Sequence, residues 1–131
     1  VATLVGRFDF RIFIGGEEAV FTQGTTPPSI DSLTKKDDQL YDIVAAATNT
    51  VIWVNTAGPL TAFTWAGIIA LDGEVTLEIF DGLTTFSTGL REGFPCFLSG
   101  ANPSTGLLIT RLRITNPSVT DNVKVRRLLV T

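Results

Sequence analysis

The sequence predicts an all-β protein, an antiparallel β-sandwich of jelly-roll-like form in a single domain spanning residues 1–131. Three observations carry that reading. Short apolar runs alternate with polar residues at period two along most of the chain. Asp-Gly pairs at Asp72-Gly73 and Asp81-Gly82 separate such runs, and this is the strongest short-range hairpin signal because a tight primed turn needs positive φ at its centre. No stretch shows the 3.6-residue periodicity of an amphipathic helix. At 131 residues the chain fits one domain. It can bury roughly two-thirds of its unfolded surface, so it needs neither disulfides nor metal for stability.

The elements follow in order. Residues 1–6 read as an N-terminal arm. Residues 8–14, FDFRIFI, place Phe8, Phe10, Ile12 and Ile14 on one face and Asp9, Arg11 and Phe13 on the other, a half-buried strand. Gly15-Gly16 ends it, and residues 19–22 return as a short partner. Residues 24–38 read as the one long loop, since Pro27-Pro28 forbids regular pairing. Residues 40–46 and 50–55 form the next strands, with a short helical turn allowed at Ala45-Ala46-Ala47. Residues 65–90 read as a three-stranded meander with the two Asp-Gly pairs at its hairpin tips. Strands at 94–98, 107–115 and 123–130 close the domain. The expected core contains Phe8, Phe10, Ile12, Ile69, Leu71, Val75, Leu77, Ile79, Phe97, Leu112 and Ile114. One long early connection followed by tight later turns fits a jelly roll.

Composition argues against an enzyme. The chain has no histidine and no methionine and one cysteine, which removes Ser-His-Asp and Cys-His arrangements and the commonest metal ligand. Glu74 and Glu78 share a strand face and are the only carboxylate pair placed for glycoside hydrolysis; the plainer reading is an exposed acidic stripe. Asp37, Asp38 and Asp42 offer oxygen ligands for calcium but lack a defined loop spacing, so a solvated edge is the better reading. Trp53 and Trp65 are candidate sugar platforms, yet both lie in apolar strand patterns and read as core. Cys96, in FPCFL, reads as an inert core thiol. Asn102 and Asn116 are each followed by proline and are not glycosylation acceptors. No cofactor is expected.

No apolar run reaches the roughly 20 residues of a membrane-spanning helix. The opening VATLVGRF enters a strand pattern directly, so no secretory leader is expected and synthesis in a reducing cytoplasm fits. Mean hydropathy is +0.32. It implies a core shared between subunits or a covered face, unless it reflects strand-rich composition alone.

The net charge of −3 is unevenly distributed. From residue 107 onward Arg111, Arg113, Lys124, Arg126 and Arg127 face one acid, Asp121, giving +4, whereas the first 106 residues carry five bases and twelve acids, giving −7. These bases are expected to meet acidic groups of a neighbouring subunit, or else acids of their own chain such as Glu74, Glu78 or Asp121. Nucleic acid is not expected, because the domain is acidic overall and lacks interleaved exposed aromatics.

The stretch IIALDGEVTLEIFDG followed by LREGFPCFL, within residues 65–98, resembles small β-sandwich structural proteins of tailed-phage virions, of the capsid cement or decoration type. The shared grammar is a strand, an Asp-Gly turn, a Thr-bearing strand and a Gly-x-Pro strand entry. The resemblance implies a non-enzymatic virion protein, made in the host cytoplasm, that binds and stabilises a capsid lattice. Its implied partners are the major capsid protein or other virion proteins, and its own copies as a homotrimer. The segments expected at such interfaces are the arm (Val1, Ala2, Thr3, Leu4, Val5), the loop lysines Lys35 and Lys36, and the basic cluster. The alternative is a carbohydrate-binding, lectin-like module.

Overall fold

The computed structural model describes residues 2–5, 9–14, 17–22 and 29–131, which form two compact units, 1–34 and 35–131. Among the described residues there is no helix, and none therefore long and apolar enough to cross a membrane.

The first unit contains β1 (Ala2–Val5), β2 (Asp9–Ile14), β3 (Glu17–Thr22) and β4 (Ser29–Leu33). It consists of two separate two-stranded antiparallel ladders, β1 with β4 and β2 with β3. In the second, Phe10 stands opposite Phe21 and Ile12 opposite Ala19. Residues 2–5 of the expected arm are thus a paired strand. Part of the expected long loop is also regular: Ser29–Leu33 pairs with β1, and β5 (Lys36–Ile43) begins before residue 38. Thr3 and Val5 are exposed. Val1 and Phe8 lie outside the described residues, as do the side chains of Ala2, Leu4, Phe10 and Ile12.

The second unit is the sandwich. Its strands are β5, β6 (Thr50–Val54), β7 (Trp65–Ala70), β8 (Val75–Phe80), β9 (Thr85–Leu90), β10 (Cys96–Ser99), β11 (Arg111–Thr115) and β12 (Val123–Val130). One sheet runs β10-β7-β12-β5 and the other β6-β11-β8-β9, antiparallel throughout. Every connection but the β8–β9 hairpin crosses from one sheet to the other. Counted from β5, the sheets read first-eighth-third-sixth and second-seventh-fourth-fifth, the two nested Greek keys of a jelly roll. The expected fold class is what the chain adopts.

Alternation fills the space between the sheets. β8 and β11 bury every second residue (Val75, Leu77 and Ile79; Leu112 and Ile114), and Val123, Val125 and Leu129 do the same on β12. Trp53 is buried edge-on to Phe63, with centroids 5.0 Å apart, and its indole N–H donates to Leu60 O at 3.1 Å. The 55–64 connection thereby closes one end of the core.

Several expectations are corrected. On β7 the inward set is Ala66, Ile68 and Ala70, while Ile69 is half-buried and Leu71 exposed. This strand is apolar on both faces, so its pattern does not fix its phase. Phe97 lies on the outer face, 54% exposed, while Cys96 and Leu98 turn toward the core. Asp72-Gly73 is no hairpin tip, because β7 and β8 belong to opposite sheets. Gly73 is required there for space: a Cβ would lie 2.7 Å from Val123 Cγ2. Asp81-Gly82 does turn a hairpin, within a four-residue connection where Gly82 has φ of 87°. At Ala45-Ala46-Ala47 the chain makes a tight turn instead of a helical one: Ala46 has φ of 59°, and Ala47 N–H donates to Val44 O at 3.1 Å.

Candidate functional site

β5 is the edge strand of one sheet and β6 the edge strand of the other, and a cleft of about 280 Å³ opens between them. The β5 wall comes from simple alternation. Asp37, Gln39 and Tyr41 share the phase of the buried Ile43, so they line the inner side of the sheet edge. Arg127 reaches the same place from β12, because it falls in the inward phase of Val125 and Leu129. The far wall is β6 with the exposed Ala57-Gly58-Pro59 turn.

A β-bulge shapes the β6 wall. Across from β11, Leu112 pairs with Trp53 and Arg113 with Val51, leaving Ile52 as the extra residue. Ile52 O, outside that ladder, accepts the Tyr41 hydroxyl at 2.7 Å and Arg127 Nη1 at 3.0 Å. Arg127 Nη2 donates to Asp37 Oδ2 at 2.5 Å, and Gln39 Nε2 donates to Asp37 Oδ1 at 3.1 Å. The guanidinium also lies over the Tyr41 ring, 5.6 Å from its centroid. Burial pushes the Tyr41 phenol above its usual pKa, so it remains a neutral donor.

This ion pair is inside the protein: the side chains of Arg127 and Asp37 are 2% and 7% exposed. Arg127 Nε is buried as well and has no hydrogen-bond partner. An unmade buried hydrogen bond costs about 1–3 kcal/mol, and a buried ion pair offers little net stability over apolar side chains of the same volume. The polar cluster therefore exceeds what holding two sheets together demands.

The remaining candidates lie elsewhere. Arg111 and Arg113 sit on the outer face of the β6-β11-β8-β9 sheet and share one carboxylate, Glu78, which stands opposite Arg113 on β8. Arg111 also covers the Phe80 ring at 4.6 Å. Lys124 and Arg126 lie on the outer face of the other sheet. Lys124 stands opposite Asp42, and Arg126 holds Asp38 at 2.6 Å, which lowers the Asp38 pKa. Arg127, expected at a subunit contact, is buried in its own chain. Lys35 and Lys36 are exposed at the start of β5. Glu74 pairs with Arg91 across exposed surface, so Glu74 and Glu78 are engaged by different arginines. Asp37 and Asp38 point to opposite faces of β5, and among the described residues no group of three metal-ligating side chains forms.

Trp65 corrects the expectation that both tryptophans are core. Only Trp53 is. Trp65 is half-buried on the outer face, lies across Gly67, where a Cβ would meet its ring at 2.7 Å, and stacks with Phe97 at 5.2 Å. Cys96 is half-buried against the core, and burial pushes its thiol pKa up. Asp81 is a fold staple. It accepts from Leu83 N at 2.9 Å, Thr84 N at 2.5 Å, Asn102 Nδ2 at 2.8 Å and Thr105 Oγ1 at 3.0 Å. With the Thr84 N–H bond as the largest cause, these donors hold its pKa down at about 2.

No protein-family model, curated protein or solved structure matches the chain.

Proposed function

We propose that this is a non-enzymatic structural protein of a virion, a capsid decoration or cement protein that works as an oligomer. The observation that carries the proposal is the first unit, built from two separate two-stranded ladders. A lone two-stranded ladder is marginal in water, and an independent sheet needs a third strand or a packed face. β2 and β3 supply an apolar sequence, DFRIFI with EEAVFT, and among the described residues neither pairs with a third strand. Unpaired edges are completed by a strand or surface of another copy or of a partner. The jelly roll is a fold used by viral capsid domains, an argument from analogy, as is the choice of a trimer. The resemblance of residues 65–98 to virion proteins points the same way.

Within this proposal the outward bases form two patches on opposite faces, the exposed Lys35, Lys36, Lys124 and Arg126 with one sheet and the half-buried Arg111 and Arg113 on the other, and Arg127 does not contribute. The test is the native mass of the full chain at micromolar concentration, followed by the same measurement after removal of residues 1–34. The expected result is three chains of 14.1 kDa each, dissociating when the segment is removed. A monomer at every concentration, together with no binding to capsid shells, would refute the reading.

A further inference from the structure

We propose that the cleft between β5 and β6 is a binding site for one neutral, hydroxyl-rich ring, the chemistry of a monosaccharide unit. This goes beyond the assembly proposal and stands independently of it.

The ligand class follows from what lines the cleft. Its volume of about 280 Å³ falls just below the usual range for small-molecule sites, which limits an occupant to one ring. Its two charges cancel, because Arg127 and Asp37 are bound to each other. An anion or cation would compete with a partner already in place, whereas a neutral hydroxyl would not. Hydrogen-bonding capacity remains after the internal bonds are made. Asp37 accepts one bond on each oxygen and has lone pairs left on both. Gln39 has spent one amide N–H and keeps the other, with its carbonyl oxygen. Sugar hydroxyls donate and accept at once, as a carboxylate beside a carboxamide requires. The apolar part of the wall, with the Tyr41 ring on one side and Val54 and Pro59 on the other, suits the C–H faces of a pyranose.

A second observation supports a site here. Arg127 is 2% exposed and holds a fixed position between Asp37 and the Ile52 carbonyl. It fixes the Asp37 carboxylate while β6 contributes a bulge that aims a backbone carbonyl at it. Bulges of this kind recur beside binding sites, where they re-aim groups away from the ladder.

The experiment titrates the full chain with glucose, galactose, mannose and N-acetylglucosamine, read by amide chemical shifts. Inorganic phosphate, sialic acid and calcium chloride serve as charged controls. At least one neutral sugar is expected to bind saturably with Kd of about 1 mM. Its largest shifts should fall on Gln39, Tyr41 and Val54. Gln39→Ala, at an exposed position, should weaken binding about tenfold. Ala57→Arg, which places a long side chain at the mouth, should abolish it. Both variants should keep the wild-type melting temperature and native mass, which separates loss of this site from loss of assembly. Absence of binding by every neutral sugar would overturn the proposal. So would shifts centred on Trp65 and Phe97, unaltered binding in both variants, or binding by the charged controls alone.

Discussion

Removing the two members of the buried Asp37–Arg127 pair one at a time should destabilise the protein, and removing both together should not. Asp37→Asn removes the counter-charge and leaves the Arg127 guanidinium inside the protein with only neutral acceptors, the Ile52 carbonyl and the new amide oxygen, beside an Nε–H that already lacks one. Arginine cannot lose its proton in a protein. Breaking a buried pair in this way costs about 3–5 kcal/mol, which lowers the melting temperature by roughly 10–25 °C for a domain of this size. Arg127→Met should cost a comparable amount, because it strands the buried Asp37 carboxylate with Gln39 Nε2 as its remaining side-chain donor. The double variant Asp37→Val/Arg127→Met removes both charges and leaves Ile52 O still paired with the Tyr41 hydroxyl at 2.7 Å. Its stability should lie within about 1 kcal/mol of wild type or above it. Urea unfolding followed by circular dichroism reads all three. A double variant as unstable as the summed singles would refute the reasoning, because the pair would then be a net source of stability.

Further outcomes follow from other parts of the sandwich. Asp81 has a folded pKa of about 2, below its unfolded value of about 3.9. Its contribution is complete above that unfolded value and is lost as pH falls toward the folded one. Asp81→Asn should accordingly be destabilised at neutral pH and show a shallower loss between about pH 4 and 2 in acid titrations of the melting temperature. Gly100→Ala should destabilise by about 1–3 kcal/mol or more in the same urea assay. The added methyl would run into the Phe63 carbonyl, whose carbon would lie 2.8 Å away.

Much of the fold is legible in the sequence because two sheets facing one core impose alternation. The VTLEI and RLRIT segments state their inward residues directly, and those of β8, β11 and β12 are where alternation places them. Legibility fails where both faces are apolar. WAGII has no polar phase marker, so inward Ile68 and outward Ile69 look alike, and Trp65 beside Gly67 reads as core although it lies flat on the outside. It also fails where a local signal has two physical causes. Asp72-Gly73 resembles a hairpin tip, but its glycine is required by the approach of Val123, and the turn carries the chain between sheets. Strand pairing between distant segments, such as Lys36–Ile43 with Val123–Val130, leaves no short-range mark at all.

The cleft shows the same limit from the other side. Asp37, Gln39 and Tyr41 are in phase with Ile43, and Arg127 is in phase with Val125 and Leu129, so the alternation rule places all four inward. Composition argues against this, because charged residues are rarely buried unless paired, and the partner lies 90 residues away in sequence. The charge split of the chain resolves in the same way. β11 and β12 enter opposite sheets, which separates Arg111 and Arg113 from Lys124 and Arg126 by the thickness of the sandwich. Acids from the N-terminal part of the sandwich then answer them: Glu78 on β8, and Asp37 and Asp38 on β5. Among the described residues four bases of the +4 segment are thus answered within the chain, Arg111 and Arg113 by Glu78, Arg126 by Asp38 and Arg127 by Asp37. The inward Asp37–Arg127 pair differs from the surface pairs in being desolvated. Exposed pairs are worth about 0–1 kcal/mol and yield to salt, so Arg126–Asp38 can be exchanged for a contact with another molecule at little cost. Arg127 has no such freedom, and its fixed position is what makes the cleft beside it a defined surface.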